Sequence, residues 1–496
     1  MKEGYIPKKD RKTILFLADD LRLPSGIGTM TREIVLNNAH HYNFVHVGGA
    51  VNHPEVGKVQ DLSQSINQEM GLTDSSVLIY PYSGYGDPEL VRMLIERHNI
   101  DAIVHFTDPR YWIWLYRMSA ELRQRVPIFY YHIWDDLPAP HYNRPYYESC
   151  DLLMGISKQS VNISRLVLGK DNFVELDSST PAELISKALP KVCYVPHGID
   201  HKTFKPLDKS EKAVQEMRAR LFNGTDPEFV LFYNNRNIRR KMTSDAILAF
   251  KLFHDKLSKD KQAGVRFVLH TQSVDENGTD LPAVIDAICP ELASKIIITD
   301  ARFTHQDMNV LYNCCDTVIN IASNEGWGLS STEALLTGRT LINNVTGGLQ
   351  DQCRFEDENG NWINFDENFG SNHAGVYKKH GVWVKPVYPA GINLQGSVPT
   401  PYIFDDRADV RDVADAIRYW YDMNPVDRSR CGLAGRDWAM SAEAGFTAEN
   451  MAKSFRIAAD QVINNWVSPK RFTLYNVTNQ LNKFKNKKSG ISLQYE

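Results

Sequence analysis

Short apolar runs followed by a loop and a longer helical pattern recur along nearly the whole of this chain, and that alternation restricts it to a parallel-sheet α/β fold. The first instance is TILFLADD, then the loop LRLPSGIG, then TMTREIVLNNAHHY. FVHVGG, SVLIYPY, AIVHFT, PIFYYH, LLMGIS and KVCYVPHG continue the series as strands. After VPHGIDHKTFKPLDKSEK, where prolines and charges interrupt both patterns, a second series begins: EFVLFYNN, VRFVLH, KIIITD, TVINIA and TLINNV. The 496 residues exceed what one hydrophobic core usually organises. The pattern therefore predicts two doubly wound, Rossmann-like domains, with ligands expected in the loops at the carboxyl ends of the strands.

Composition narrows the partners. A net charge of -4, with 43% hydrophobic and 23% charged residues, gives no global attraction for nucleic acid or acidic membranes. The seven cysteines are scattered and lack CxxC spacing, which argues against a disulfide framework and a zinc site and for a reducing compartment. MKEGYIPKKDRK has no apolar stretch of signal-peptide length, so a cytoplasmic location without integral membrane association is expected.

Three loops carry chemistry. SGIG, Ser25 to Gly28, follows the first strand and opens a helix. Its backbone N–H groups at Gly26 and Gly28 can approach a phosphate or a sugar, or form a plain strand-to-helix turn. It is not a dinucleotide fingerprint, because Thr31 stands where GxGxxG needs its third glycine. NNRNIRRKM places Arg236, Arg239, Arg240 and Lys241 before a helix expected near Thr243. Cations at a helix N-terminus are unfavourable unless an anion sits among them, and a diphosphate satisfies that demand; a solvated basic turn is the bland alternative. The third loop, NEGWGLSSTE, sets Glu325 before Gly326-Trp327-Gly328 and Glu333 after it. Ser330 to Glu333 fits a capping box, which accounts for Glu333 but not for Glu325 or the two glycines. A bare helix start with a carboxylate on each side suits a phosphate flanked by sugar hydroxyls.

The segment LYNCCDTVINIASNEGWGLSSTEALLTGRTLINNVTGG resembles the donor-site signature of retaining GT-B glycosyltransferases, especially glycosyltransferase family four of the glycogen-synthase-like superfamily. The resemblance extends to Arg236 and Lys241, to PHGID at the interdomain hinge, to His132 in YYHIWDD and to SGIG. Met242 departs from it, standing where many relatives have glycine, and so does the Gly- and Asn-rich stretch 351–406. The resemblance implies a GT-B fold: an acceptor-side domain over 1–195, a nucleotide-sugar domain over 196–440, and terminal helices over 441–496 that return to the first domain, with a cleft between the two domains. It implies a retaining hexosyl- or pentosyltransferase using a nucleotide-sugar donor. Arg236 and Lys241 would stabilise the leaving diphosphate, Glu325 the sugar and Glu333 the ribose, with His132 near the donor sugar. Gly26, Gly28, Gly326, Trp327, Gly328, Leu329, Ser330 and Glu333 make up the donor-binding set. An Arg–Lys pair can replace a metal ion at a diphosphate, and the sequence has no acidic cluster of metal-site type, so neither metal nor cofactor is expected.

His132 on an apolar strand equally suits a structural role, and Asp135, Asp136, Asp19 and Asp20 can bind hydroxyls or cap turns. The acceptor is open. PKRFTLYNVTNQLNKFKNKK, Pro469 to Lys488, interleaves cations with aromatics, which suits either a solvated tail or contact with DNA, including a hydroxymethylated base as acceptor. Glycans, lipids and proteins are the alternatives, and a GT-B epimerase or a non-catalytic nucleic-acid-binding module would share the architecture.

Overall fold

The computed structural model describes residues 3–50 and 55–469. The first domain holds nine strands: β1 (Lys12–Asp19), β2 (Tyr42–Gly49), β3 (Gln60–Asp61), β4 (Val77–Pro81), β5 (Ala102–Phe106), β6 (Ile128–His132), β7 (Leu152–Gly155), β8 (Val174–Glu175) and β9 (Lys191–Tyr194). Their order is β3-β4-β2-β1-β5-β6-β7-β9-β8, parallel throughout except at β3. The second domain has β10 (Phe229–Asn234), β11 (Val265–His270), β12 (Ile296–Thr299), β13 (Thr317–Asn320), β14 (Thr340–Asn344) and β15 (Val384–Val387), in the order β12-β11-β10-β13-β14-β15 and all parallel. This is the doubly wound order that reverses direction between its first and fourth strands. Central strands such as Phe229–Asn234 are buried almost end to end because helices cover both faces of the sheet, which is why they read as continuous apolar runs.

The chain crosses between the domains at Pro196–Asp200 and returns at Phe446–Ala448. Ile199 N–H donates to Phe446 O at 3.1 Å and Ala448 N–H to Ile199 O at 2.9 Å. Gly198 is obligatory at this crossing, since a Cβ there would lie 2.1 Å from Thr447 O. The helix Ala448–Asn465 then lies along the first-domain helix Gly26–Asn38. Tyr42 Oη donates to Asp460 at 2.6 Å and Asn38 Nδ2 to Ala452 O at 3.1 Å, fixing the return.

Residues 354–383 leave the second domain and lie against the first-domain helix Lys158–Leu168. Lys158 Nζ donates to Ile363 O at 2.6 Å while sitting over the Trp362 ring. After β15 the chain forms a two-stranded antiparallel hairpin, β16 (Pro389–Ser397) and β17 (Thr400–Ala408). Its second strand reaches the first domain, with Phe404 N–H donating to Leu137 O at 2.7 Å and Tyr142 Oη to Tyr402 O at 2.9 Å. No helix among the described residues is long and apolar enough to cross a membrane. Beyond Pro469, the basic segment read as a possible DNA contact lies outside the described residues.

Candidate active site at the domain cleft

Strand order reverses between β10 and β13, so the loops leaving their carboxyl ends diverge around a crevice, and these are the two loops that carry Arg236 to Lys241 and Asn324 to Gly328. Ser323 N–H donates to Arg240 O at 2.8 Å and ties them together. The Lys241 ammonium rests directly on the Glu325 carboxylate, both largely buried. Arg240 donates to Asn324 O at 2.8 Å and stands 3.5 Å from the same carboxylate. Burial alone would raise the Glu325 carboxyl, but the charges of Lys241 and Arg240 more than offset it and hold Glu325 ionised. Burial brings Lys241 down to about 8, against the pull of Glu325, which leaves it cationic at neutral pH. Arg236 is not part of this cluster. Its side chain is 60% exposed and turned to Asp275, with Nε donating to Oδ2 at 2.8 Å.

The helix Leu329–Leu336 begins at Gly328, which occupies the left-handed region at φ 88°. A side chain there would also strike Leu349 Cδ2 at 2.5 Å, so only glycine fits. No side chain caps this helix. Ser330 lies inside it rather than before it, and its buried Oγ has no hydrogen-bond partner. The capping box is therefore absent, and Glu333 points elsewhere. It accepts from Tyr312 Oη at 2.5 Å and Asn234 Nδ2 at 3.2 Å. Burial pushes its carboxyl up to about 7, against both hydrogen bonds.

Trp327 is not a lining residue. Only 2% exposed, its indole packs edge-on to Phe446 at 4.7 Å and donates to Thr332 Oγ1 at 2.9 Å. Two flanking glycines give the ring a path into the domain core instead of the cleft. Gly326 meets the first domain, since a Cβ there would lie 3.0 Å from Ile133 O. His132, one residue earlier, is fully buried, with Nε2 2.6 Å from Tyr147 Oη, and burial lowers it to about 3. The ring is neutral and supports the loop that meets Gly326. Across the cleft, a Cβ on Gly26 would stand 3.3 Å from Leu329 Cδ1, so the SGIG loop faces the start of the second-domain helix. The Gly28 N–H is already taken by Ser25 Oγ, at 3.0 Å, as the cap of the helix Gly26–Asn38.

Two residues that the sequence reading did not select complete the site, Asn234 and Tyr312, which position Glu333. Asp135 of the first domain, read from sequence as a hydroxyl ligand or a turn cap, faces Arg240 and Glu325. Asn234 is the last residue of a strand entering the basic loop, a position that offers a signal; Tyr312 offers none, because it meets the site only through the tertiary fold. Beside the cleft, a cavity of about 660 Å³ opens between Leu21–Pro24, the helix Gly26–Asn38 and Phe303–Gln306. Among the described residues, the group able to converge on a metal is Asp200, His201 and Glu449 at the crossing, where Lys202 Nζ already sits 2.8 Å from Glu449.

Two Rossmann-like domains facing each other across a cleft, with the chain crossing twice and its last helix returning to the first domain, make this a GT-B fold. Solved structures similar to it include Anabaena HepE in complex with UDP and glucose, with a TM-score of 0.60 and 13% identity over 91% of this chain and 100% of that one. Sucrose-phosphate synthase from Thermosynechococcus elongatus gives 0.60 and 15% over 92% and 100%. A UDP-forming α,α-trehalose-phosphate synthase from Burkholderia vietnamiensis gives 0.59 and 12% over 92% and 99%. At these identities the likeness is one of fold. No family model matches the sequence. No curated protein matches it either.

Proposed function

We propose that the chain is a retaining glycosyltransferase of the family-four type, moving a sugar from a nucleotide-sugar donor to an acceptor hydroxyl without a metal ion. The observation that carries this reading is the buried Lys241–Glu325 pair, flanked by the half-buried Arg240, beside an uncapped helix start. Breaking the anomeric C–O bond puts negative charge on the leaving diphosphate and positive charge on the sugar ring, so a site must supply cations and a carboxylate side by side. Lys241 and Arg240 answer the first need, joined by Arg236 once it turns from Asp275, and the N–H groups of Leu329 and Ser330 add the helix-end contribution. Glu325, kept ionised, accepts sugar hydroxyls and faces the developing positive ring. Glu333 accepts the ribose hydroxyls, oriented by Tyr312 and Asn234. His132 holds the first-domain loop against Gly326. Fold relatives solved with UDP and with glucose are consistent with this class of donor.

The test is turnover of a nucleotide-sugar panel with anomeric configuration read by NMR, in the presence and absence of EDTA. We expect retention, and a rate unchanged by EDTA. An inverted product would remove the family-four assignment, and a rate abolished by EDTA and restored by divalent cation would remove metal independence.

A further inference from the structure

The first sheet has its own carboxyl edge at the cleft, where the loops after β1, β4 and β5 gather; beyond Gly26 and Gly28 of SGIG, the glycosyl-transfer reading leaves these loops unassigned. The loop after β5 starts at Thr107, a β-branched residue held at φ 131° and buried. Such backbone strain persists only where surrounding structure enforces it, and it concentrates at binding sites. The turn Pro109–Trp112 that follows raises Tyr111 to 54% exposure and lays it over Tyr85, ring centroids 4.7 Å apart and planes 21° from parallel. Tyr85 is braced edge-on by Trp112 at 5.3 Å, so the pair is fixed from behind and open in front. Tyr85 Oη donates at 3.1 Å to one oxygen of Asp19, and Ser25 Oγ donates at 2.8 Å to the other. Ser25 precedes Gly26, which abuts Leu329. A continuous line of contacts thus runs from the donor-side helix through Gly26 and Asp19 to the aromatic pair.

We propose that the acceptor is an uncharged saccharide, its ring laid on Tyr111 and a hydroxyl presented to Asp19. The inference rests on the glycosyl-transfer reading and adds the acceptor's chemistry. A sugar ring has apolar C–H faces and a rim of hydroxyls, which match an open aromatic face beside a carboxylate acceptor. Charge separates this ligand from a nucleic acid. The guanidiniums at this mouth are committed: Arg22 holds Asp20 at 2.8 Å and Glu55 at 3.0 Å, and Arg110 pairs with Asp108. With each of these guanidiniums matched by a carboxylate, the mouth does not present the cationic track that a phosphate backbone requires.

The experiment is saturation-transfer NMR of the full chain with maltose, cellobiose, lactose and sucrose, alongside calorimetry with UDP and GDP and anisotropy with a fluorescein-labelled duplex oligonucleotide. At least one disaccharide is expected to bind, with Kd raised three- to tenfold in Tyr111→Ala and restored in Tyr111→Trp, while nucleotide affinity stays unchanged. Asp19→Asn should weaken the same disaccharide without lowering the melting temperature. Absence of disaccharide binding, a Kd indifferent to Tyr111, or duplex binding that Tyr111→Ala abolishes would each overturn the inference. Failure of both nucleotides to bind would instead count against the donor reading, because Tyr111 touches none of the donor residues.

Discussion

At the scale of single residues, the two glutamates of the donor loop differ in what holds them, and that difference is measurable. Glu325 is ionised by the cations against it, whereas Glu333 has only neutral donors and titrates near 7. Ribose hydroxyls need the ionised form as acceptor. Below about pH 7 a proton must leave Glu333 first, so affinity for the nucleotide diphosphate is expected to rise with pH towards about 7 and to fall again as Lys241, brought down to about 8, loses its charge. Calorimetry at pH 6 in two buffers of different ionisation enthalpy should report proton release. Glu333→Gln should bind roughly 1.5–3 kcal/mol more weakly at pH 8, as loss of hydrogen bonds to a charged group requires, and the rise in affinity between about pH 6 and 7 should disappear. A variant equal to wild type at both pH values would leave Glu333 a structural partner of Tyr312 only. Lys241→Ala and Arg236→Ala are each expected to lower turnover by about 10²-fold or more, the scale of a lost transition-state charge. Arg236 is exposed and paired to Asp275, so an Arg236→Ala enzyme of normal rate, measured beside a crippled Lys241→Ala, would transfer its role to Arg240. Met242 supplies a different kind of residue-scale lesson. It stands at φ 54°, in the left-handed region, which is the physical reason a glycine suits that position.

At the scale of elements, the hairpin Pro389–Ala408 has the most to reveal. It belongs to the second domain by sequence, yet Phe404 packs on the first-domain core and Tyr402 on Ala139 and Tyr142. Phe404→Ala should therefore release the outer part of the hairpin while leaving both sheets intact. Hydrogen exchange over 391–404 is expected to accelerate, with the melting temperature nearly unchanged. Unaltered exchange would mean that the Tyr402 contacts and the backbone bonds fix the strand without Phe404. This element was not legible in the sequence, whereas β1, β2, β4 to β7 and β9 to β14 all arise from runs readable as strands. Those strands are buried between helices, so burial writes them as apolar blocks. The hairpin is exposed along β16 and interrupted by Gly391, Gly396 and Pro401, so neither burial nor alternation marks it. The same reasoning explains the errors in the donor loop. Spacing gave Ser330 and Glu333 the form of a capping box, but the N-cap is Gly328 and the helix starts at Leu329, two residues earlier than that box requires. Trp327 looked ligand-facing between two glycines, and only Phe446, far along the chain, shows that it belongs to the core. The Glu325, Lys241 and Glu333 positions were legible because they follow strands at a switch point, where local pattern and tertiary position coincide.

At the scale of the whole molecule, the two domains meet at a pair of carboxyl groups whose joint ionisation burial opposes. Asp136 of the first domain and Asp406 at the base of the hairpin share one hydroxyl, Thr346 Oγ1, at 3.2 and 2.8 Å. That hydroxyl has a single proton to donate. Asp406 also receives Asn372 Nδ2 at 2.5 Å, whereas Asp136 Oδ1 has no partner among the described residues, so Asp136 is the carboxyl of the pair that favours the protonated form. Its surroundings agree: burial first, then the negative charges of Asp406, Asp135 and Asp405, hold Asp136 well above the usual carboxylate range. A carboxyl whose folded pKa lies above its unfolded value contributes stability that is fully present below the unfolded value, about 3.9, and lost as pH rises through the folded one. The interface should accordingly weaken as pH climbs from mildly acid through neutral. Asp136→Asn supplies a neutral donor of the same shape and removes the titration. Its melting temperature is expected to match or fall below that of wild type near pH 4 and to exceed it progressively towards pH 8. Raised carboxyls that do not interact with Asp136 titrate alike in both proteins, so the difference between the two curves reports Asp136 together with the carboxyls coupled to it. Parallel curves across that range would show that Asp136 is ionised in the folded protein and that the interface tolerates the charge.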